Sequence, residues 1–244
     1  MLHWNIHSWR DDRQRPNHQA VEDLIRRTRP EVVSLTEVST PWGDSRPVSE
    51  IAERLGYQWV FVPALEFRRS PATEGATEGY GNALLTRLPI LGVQQWRVHS
   101  PERYANNEPT EPRTVALARV DAAGTPVWVG STHLPASQAD DRVAALRRLA
   151  GLLTGLRAPW LVCGDFNTAA RTWRKDLPDG VTVAPRWRRA TFPARHPVRA
   201  IDYGLASPAL RTRGRVLQCH GSDHRAIFVS AGWGGTPPAR PPRA

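Results

Sequence analysis

Trp160-Leu161-Val162-Cys163-Gly164-Asp165-Phe166-Asn167 is an apolar run that ends abruptly in Gly-Asp-x-Asn. It reads as a buried strand that delivers two polar side chains at its carboxyl end. Side chains alternate along a strand, so Asp165 and Asn167 point the same way. A carboxylate beside a carboxamide at a strand end suits metal or phosphate chemistry better than packing. Alone, Asp-x-Asn reads equally as an Asx turn closing a strand. The other strand ends decide between the two.

Outward from this stretch the same arrangement recurs. Residues 138–156 carry Val143, Leu146, Leu149, Leu152 and Leu153 at helical spacing. Upstream, 114–120 and 127–133 read as an antiparallel pair turned at Ala122-Ala123-Gly124, with Arg113 at one end and His133 at the other. At the start, 2–6 is a buried strand ending at Asn5 and His7. A helix over 17–28 follows, and Arg29-Pro30 stops it. The next strand, 31–38, carries Glu37 near its end. Strand, helix, strand in that order predicts a crossover unit. A short helix over 48–55 precedes a strand over 58–63, and 68–79 reads as a mobile loop. Segments 82–86 and 90–98 read as an antiparallel pair around Pro89. Downstream, 173–199 is irregular. The last strands are 200–206, with Asp202, and 225–229, just after Asp223 and His224.

The chain has 244 residues, 40% of them hydrophobic, enough for a sizeable core. No Pro/Gly-rich linker divides it, so 1–232 is expected to form one domain. The Gly/Pro/Arg-rich tail, 233–244, is expected to be disordered. Its 2 Cys, Cys163 and Cys219, give neither a disulfide framework nor a cysteine-rich zinc site. No secretory leader and no membrane-spanning apolar run is seen. The expectation is a soluble, cytoplasmic protein, unless the true start lies upstream of Met1 and includes a leader or anchor. The formal net charge is +10. Such a balance fits a polyanionic partner. Yet Lys175 is the only lysine among 33 basic residues, and with abundant Ala, Gly and Pro this points as much to a biased codon supply.

Polar residues thus stand at one strand end after another: Asn5, Glu37, Arg113, His133, Asp165 with Asn167, Asp202, and Asp223 with His224. Singly, each has a structural explanation as a cap, a turn or a solvated end. Jointly, the recurrence is hard to obtain by accident.

Seven short motifs, in this order, resemble the endonuclease/exonuclease/phosphatase superfamily. They are Trp4-Asn5-Ile6-His7, Leu35-Thr36-Glu37-Val38, Gly81-Asn82-Ala83-Leu84-Leu85-Thr86-Arg87, Ser131-Thr132-His133-Leu134, Gly164-Asp165-Phe166-Asn167, Ile201-Asp202-Tyr203 and Ser222-Asp223-His224. The resemblance spans nearly the whole chain. It implies a four-layer α/β sandwich, two stacked mixed sheets with helices outside. It also implies hydrolysis of a phosphate ester with a divalent metal, usually magnesium, with manganese as an alternative. Glu37 would be the main metal ligand, with Asn5 beside it and Asp223 at a second metal position. His224 would be the catalytic histidine, oriented by Asp202. Asp165 would contact the attacking water or the metal region. Asn167 and His133 would donate to phosphoryl oxygens, and Asn82 and Arg113 would bind substrate. Ser8, Thr36 and Ala226 depart from residues frequent in the family without removing a catalytic group.

Three readings of the substrate follow. The chain could act on nucleic acid, supported by its charge, by the arginines between Arg186 and Arg199, and by Trp173 and Trp187 as stacking platforms. It could act on a small-molecule or lipid head-group phosphate. Or it could bind an anion without turnover. The 68–79 loop and the 173–199 segment are the candidate specificity rim.

Overall fold

The structure, a computed structural model, describes residues 1–40, 46–68, 77–100, 111–185 and 189–235. Two six-stranded mixed sheets face each other. The first has the order β11-β12-β1-β2-β4-β3 and the second β5-β6-β7-β8-β10-β9. The strands are β1 (Leu2–Asn5), β2 (Val32–Thr40), β3 (Gln58–Arg68), β4 (Thr77–Thr86), β5 (Ile90–His99), β6 (Arg113–Ala122), β7 (Thr125–His133), β8 (Trp160–Asp165), β9 (Thr182–Ala184), β10 (Asp202–Ala206), β11 (Leu210–Val216) and β12 (Ile227–Trp233). The helices are α1 (His18–Thr28), α2 (Arg46–Leu55), α3 (Ala139–Thr154) and the single turn α4 (Ala170–Trp173).

Three apolar layers hold four structural layers together. Leu2, Trp4, Val33 and Leu35 face out of the first sheet onto Val21, Leu24 and Ile25 of α1 and Ile51 of α2. Leu84, Ala116, Val129, Leu161 and Val229 fill the space between the sheets. Leu117, Val162 and Leu205 face out of the second sheet onto Leu146, Leu149 and Leu153 of α3. The central strands β1, β2, β7, β8 and β10 therefore bury both faces, which explains their nearly continuous apolar runs. The expected crossover is present: β1 and β2 pair in parallel across α1. The β6–β7 pair is antiparallel as expected, and β8 joins β7 in parallel.

The structure corrects several expectations. β4 and β5 follow one another around Pro89 but do not pair. β4 lies between β2 and β3 in the first sheet, and β5 pairs with β6 in the second. The Pro89 turn carries the chain from one sheet to the other. β3 extends to Arg68 and β4 begins at Thr77, so both ends of the expected 68–79 loop are strand. The intervening 69–76, and Arg186 and Trp187, lie outside the described residues. β9 lies inside the segment expected to be irregular, and β11 occupies a stretch where the sequence pattern predicts no strand. β12 runs through Trp233, and the tail beyond 235 lies outside the described residues. Among the described residues no helix is long and apolar enough to cross a membrane.

Candidate active site

Strand alternation aims the site. Leu2 and Trp4 of β1 face the helices, so His3 and Asn5 face the opposite sheet. On β2, Val33 and Leu35 also face the helices, and unbroken alternation would send Glu37 with them. A bulge prevents this. Leu35 pairs with Ala83 and Val38 with Gly81, leaving Thr36 and Glu37 opposite the single residue Asn82. Glu37 sits at φ 55, in the left-handed region, and is turned toward Asn5. The second sheet contributes His133 from the end of β7, Asp165 from the end of β8 and Asp202 from the start of β10, with His133 opposite Asp165 and Asp165 opposite Asp202 in register.

These side chains converge on one oxygen. Asp165 Oδ2 accepts from Asn5 Nδ2 at 3.0 Å and lies 3.7 Å from His133 Nε2 and 3.6 Å from His224 Nε2. Asp165 Oδ1 accepts from the Asn167 backbone N–H at 2.8 Å. Asn5 Nδ2 also donates to Glu37 Oε1 at 2.9 Å, while Asn5 Oδ1 accepts from the His7 backbone N–H at 3.1 Å. The backbone donor thereby fixes which end of the amide faces the carboxylates.

On the far side of His224, its Nδ1 donates to Asp202 Oδ2 at 3.0 Å. The Trp4 indole donates to the His224 carbonyl at 2.8 Å, and Ser222 Oγ donates to the Asn5 carbonyl at 2.7 Å, tying the Ser-Asp-His turn to β1. The Phe192 ring lies 4.8 Å from the His224 ring, and the Arg199 guanidinium lies 5.7 Å from Phe192. Arg113 Nη1, a donor only, lies 3.0 Å from His133 Nδ1, while the Asn167 amide nitrogen donates to the Leu134 carbonyl at 2.9 Å and lies 3.0 Å from His133 Nε2, so both ring nitrogens face donors.

Burial dominates the electrostatics. It pushes the Glu37 carboxyl upward, opposed by the Asn5 hydrogen bond and the charge of His224. It pushes Asp165 up to about 7 against the pull of His224. Burial also acts on Asp202, but the charge and hydrogen bond of His224 outweigh it and hold that carboxyl low. For His224 itself, burial loses to the charges of Asp202 and Asp165, and the ring rises to about 10. Burial and the charge of Arg113 hold His133 well below its ordinary value, in the neutral form.

Of the residues singled out from sequence, Asn5, Glu37, His133, Asp165, Asn167, Asp202 and His224 come together. Arg113 lies behind His133 and pairs with Glu111 at 2.8 Å. Asn82 spends its amide on the Thr114 carbonyl at 2.9 Å, linking β4 to β6 across the sandwich. Asp223 lies 3.9 Å from His7 Nδ1. Two groups can hold a cation among the described residues: Glu37, His133 and Asp165, and Asp165, Asp202 and His224. Asp223 belongs to neither. Trp173, read as a stacking platform, is 1% exposed and stacks on Phe166 at 5.0 Å in the α3-side core, so it offers no base-binding face. Sequence reading missed His3, Ser34 and Tyr80. His3 and Ser34 sit two residues before Asn5 and Thr36, on the same inner faces, a signal that alternation carries. Burial, followed by the nearby charge of Glu37, raises the Tyr80 hydroxyl.

Stacked mixed sheets with outer helices and a carboxylate–histidine cluster at one strand edge define the class of sandwich phosphoesterase folds. The chain belongs to the Endonuclease/Exonuclease/phosphatase family, whose model matches residues 2–224; its members are hydrolases of phosphate esters. Among similar solved structures is a mannosyl-6-phosphatase of Bacteroides thetaiotaomicron, with TM-score 0.72 at 14% identity, covering 95% of this chain and 98% of that one. An endonuclease/exonuclease/phosphatase from Beutenbergia cavernae gives 0.70 at 22% identity, covering 98% and 72%. The human Nocturnin catalytic domain with bound sulfate gives 0.67 at 22%, covering 94% and 91%. At these identities the likeness is one of fold. No curated protein matches the chain.

Proposed function

We propose that this chain is a divalent-metal-dependent phosphoesterase that hydrolyses a phosphodiester or phosphomonoester by in-line attack of water. The observation that supports it most is the convergence of Asn5, His133 and His224 on Asp165 Oδ2, with Glu37 alongside.

The donor set suits a hard cation. Glu37 and Asp165 offer carboxylate oxygens within 4.8 Å of one another, and burial leaves Glu37 short of compensating positive charge. Magnesium is our assignment, with manganese as a substitute. Glu37 and Asp165 would hold it, while Asn5 clamps both carboxylates through its amide. A second position at Asp223 stays part of the proposal as a weaker site. A bound cation would neutralise charge on the phosphoryl oxygens and acidify water.

The remaining roles belong to protein groups. His224, positively charged at neutral pH, directs Nε2–H toward the phosphoryl or leaving oxygen as general acid. Asp202 fixes its tautomer. Asp165 orients the attacking water. His133 and Asn167 would donate to phosphoryl oxygens once substrate separates the Asn167 amide from His133 Nε2, and Arg113 adds positive charge behind them. Arg113 Nε is buried without a partner, which favours an anion on that side. Asn82 holds the two sheets together beneath the substrate.

The test is product release from supercoiled plasmid, nucleotides, inositol phosphates and lipid head-group esters, in magnesium and in EDTA. Turnover of at least one class in magnesium, abolished by EDTA, is expected. Turnover that survives EDTA, or none with magnesium or manganese, defeats the reading. Steep weakening with salt would identify a polymeric nucleic-acid substrate, since each phosphate contact releases counterions.

A further inference from the structure

We propose that His3 is a positioning residue of the active site, holding Asp202 from behind so that the carboxylate can aim His224. The inference deepens the phosphoesterase reading and rests on it.

His3 is fully buried, 0% exposed, between the two sheets. A buried imidazole is costly unless both ring nitrogens are satisfied. Here both are. His3 Nε2 lies 3.3 Å from Asp202 Oδ1, and Nδ1 lies 2.9 Å from Ser34 Oγ. Ser34 Oγ lies 2.7 Å from Ser131 Oγ, and Ser131 Oγ donates to the Leu35 carbonyl at 3.2 Å. The chain runs from β10 to β1, β2 and β7, crossing the sandwich three times and ending on a backbone carbonyl of β2. Cys163, the register partner of Ser131, lies in the apolar cluster between the sheets with Leu161 and Val229. His3, Ser34 and Ser131 stand two residues before Asn5, Thr36 and His133, so the polar chain lies directly beneath the site.

Its consequence lies in Asp202. The two oxygens of that carboxylate are divided between two imidazoles, His224 on Oδ2 and His3 on Oδ1. The plane of the carboxylate cannot rotate without breaking one bond. With the plane fixed, His224 Nε2 faces Asp165. Without His3, Asp202 keeps its partner in His224 but loses the second anchor. His3 is too deep to touch substrate, so its effect passes through Asp202. In metal sites, comparable supporting partners typically contribute about 10–100-fold to activity.

Three variants separate positioning from simple packing. His3→Gln can present an amide donor near the position of Nε2. His3→Asn reaches Ser34 but falls short of Asp202. His3→Leu removes both bonds. The probes are bis(4-nitrophenyl) phosphate with magnesium, and NMR of the His224 ring N–H in metal-free protein. We expect His3→Asn and His3→Leu to lower kcat about 10–100-fold with KM changed less than about twofold. In both, the His224 Nδ1–H signal should shift or be lost to solvent exchange. His3→Gln should keep the signal and recover most of kcat. If His3→Leu fails to fold, the contrast of Asn with Gln decides. Equal kcat in Asn and Gln, or an unmoved His224 signal in Asn, overturns the proposal. If the wild type shows no turnover, the phosphoesterase reading falls on its own. The NMR arm then still decides whether His3 positions the pair.

Discussion

His224 sits between two buried carboxylates, bonded to Asp202 through Nδ1 and facing Asp165 through Nε2. Its folded value near 10 lies above its ordinary 6.5, so its contribution to stability is complete below about 6.5 and is lost as pH rises through 10. Asp165, raised to about 7, also loses stability as pH rises, over a lower range beginning near its ordinary 3.8. The urea midpoint of metal-free wild type should therefore fall more steeply between pH 7 and 10 than that of His224→Gln. Parallel slopes would contradict the assignment. Most of this cluster was legible because its members stand next to apolar runs: Asp165 after Trp160–Gly164, His133 after Val127–Thr132. His3 was not, because a histidine inside a strand of Leu, Trp and Ile gives no sign of whether it meets an acid across the sandwich. That partner, Asp202, lies 199 residues away.

At the scale of elements, close strand contact constrains the site. A Cβ at Gly164 would sit 2.2 Å from the Thr132 carbonyl oxygen, so β7 and β8 approach through glycine just beneath His133 and Asp165. Gly164→Ala should destabilise by about 1–3 kcal/mol, as overpacking does. It should also lower activity in the fraction that stays folded, because the two strands separate at the site. Thermal melts with activity measured below the transition check both effects; wild-type values for each would contradict the close approach. Element order was readable from periodicity, whereas strand partners were not. The Pro89 turn looked like a hairpin because sequence neighbours commonly pair, but Ile90 pairs with Val120 in the other sheet. β11 escaped notice because its outer face is Arg211, Arg213 and Arg215, while Leu210 and Thr212 are buried. Half of a strand's alternation was hidden by charge.

For the whole molecule, two sheets bring carboxylates from both sides of the sandwich to one edge, and burial leaves Glu37 and Asp165 raised together. A divalent cation that relieves this should stabilise the folded chain. Magnesium at about 100 times its Kd would contribute roughly 2.7 kcal/mol by mass action. A rise in melting temperature is expected for wild type and should be absent in Glu37→Gln. An equal rise in both would move the metal away from Glu37. The net charge of +10 says less than it suggested. With Trp173 in the core, part of the nucleic-acid argument is gone, and the substrate class passes to the salt dependence of turnover.

The most direct test of the central claim is hydrolysis of bis(4-nitrophenyl) phosphate in magnesium by wild type, Glu37→Gln and His224→Ala, each shown to be folded. The account predicts turnover by wild type that EDTA abolishes, and a loss of at least ~10²-fold in each variant, the scale of general acid–base and metal assistance. Near-wild-type turnover in either folded variant would contradict it.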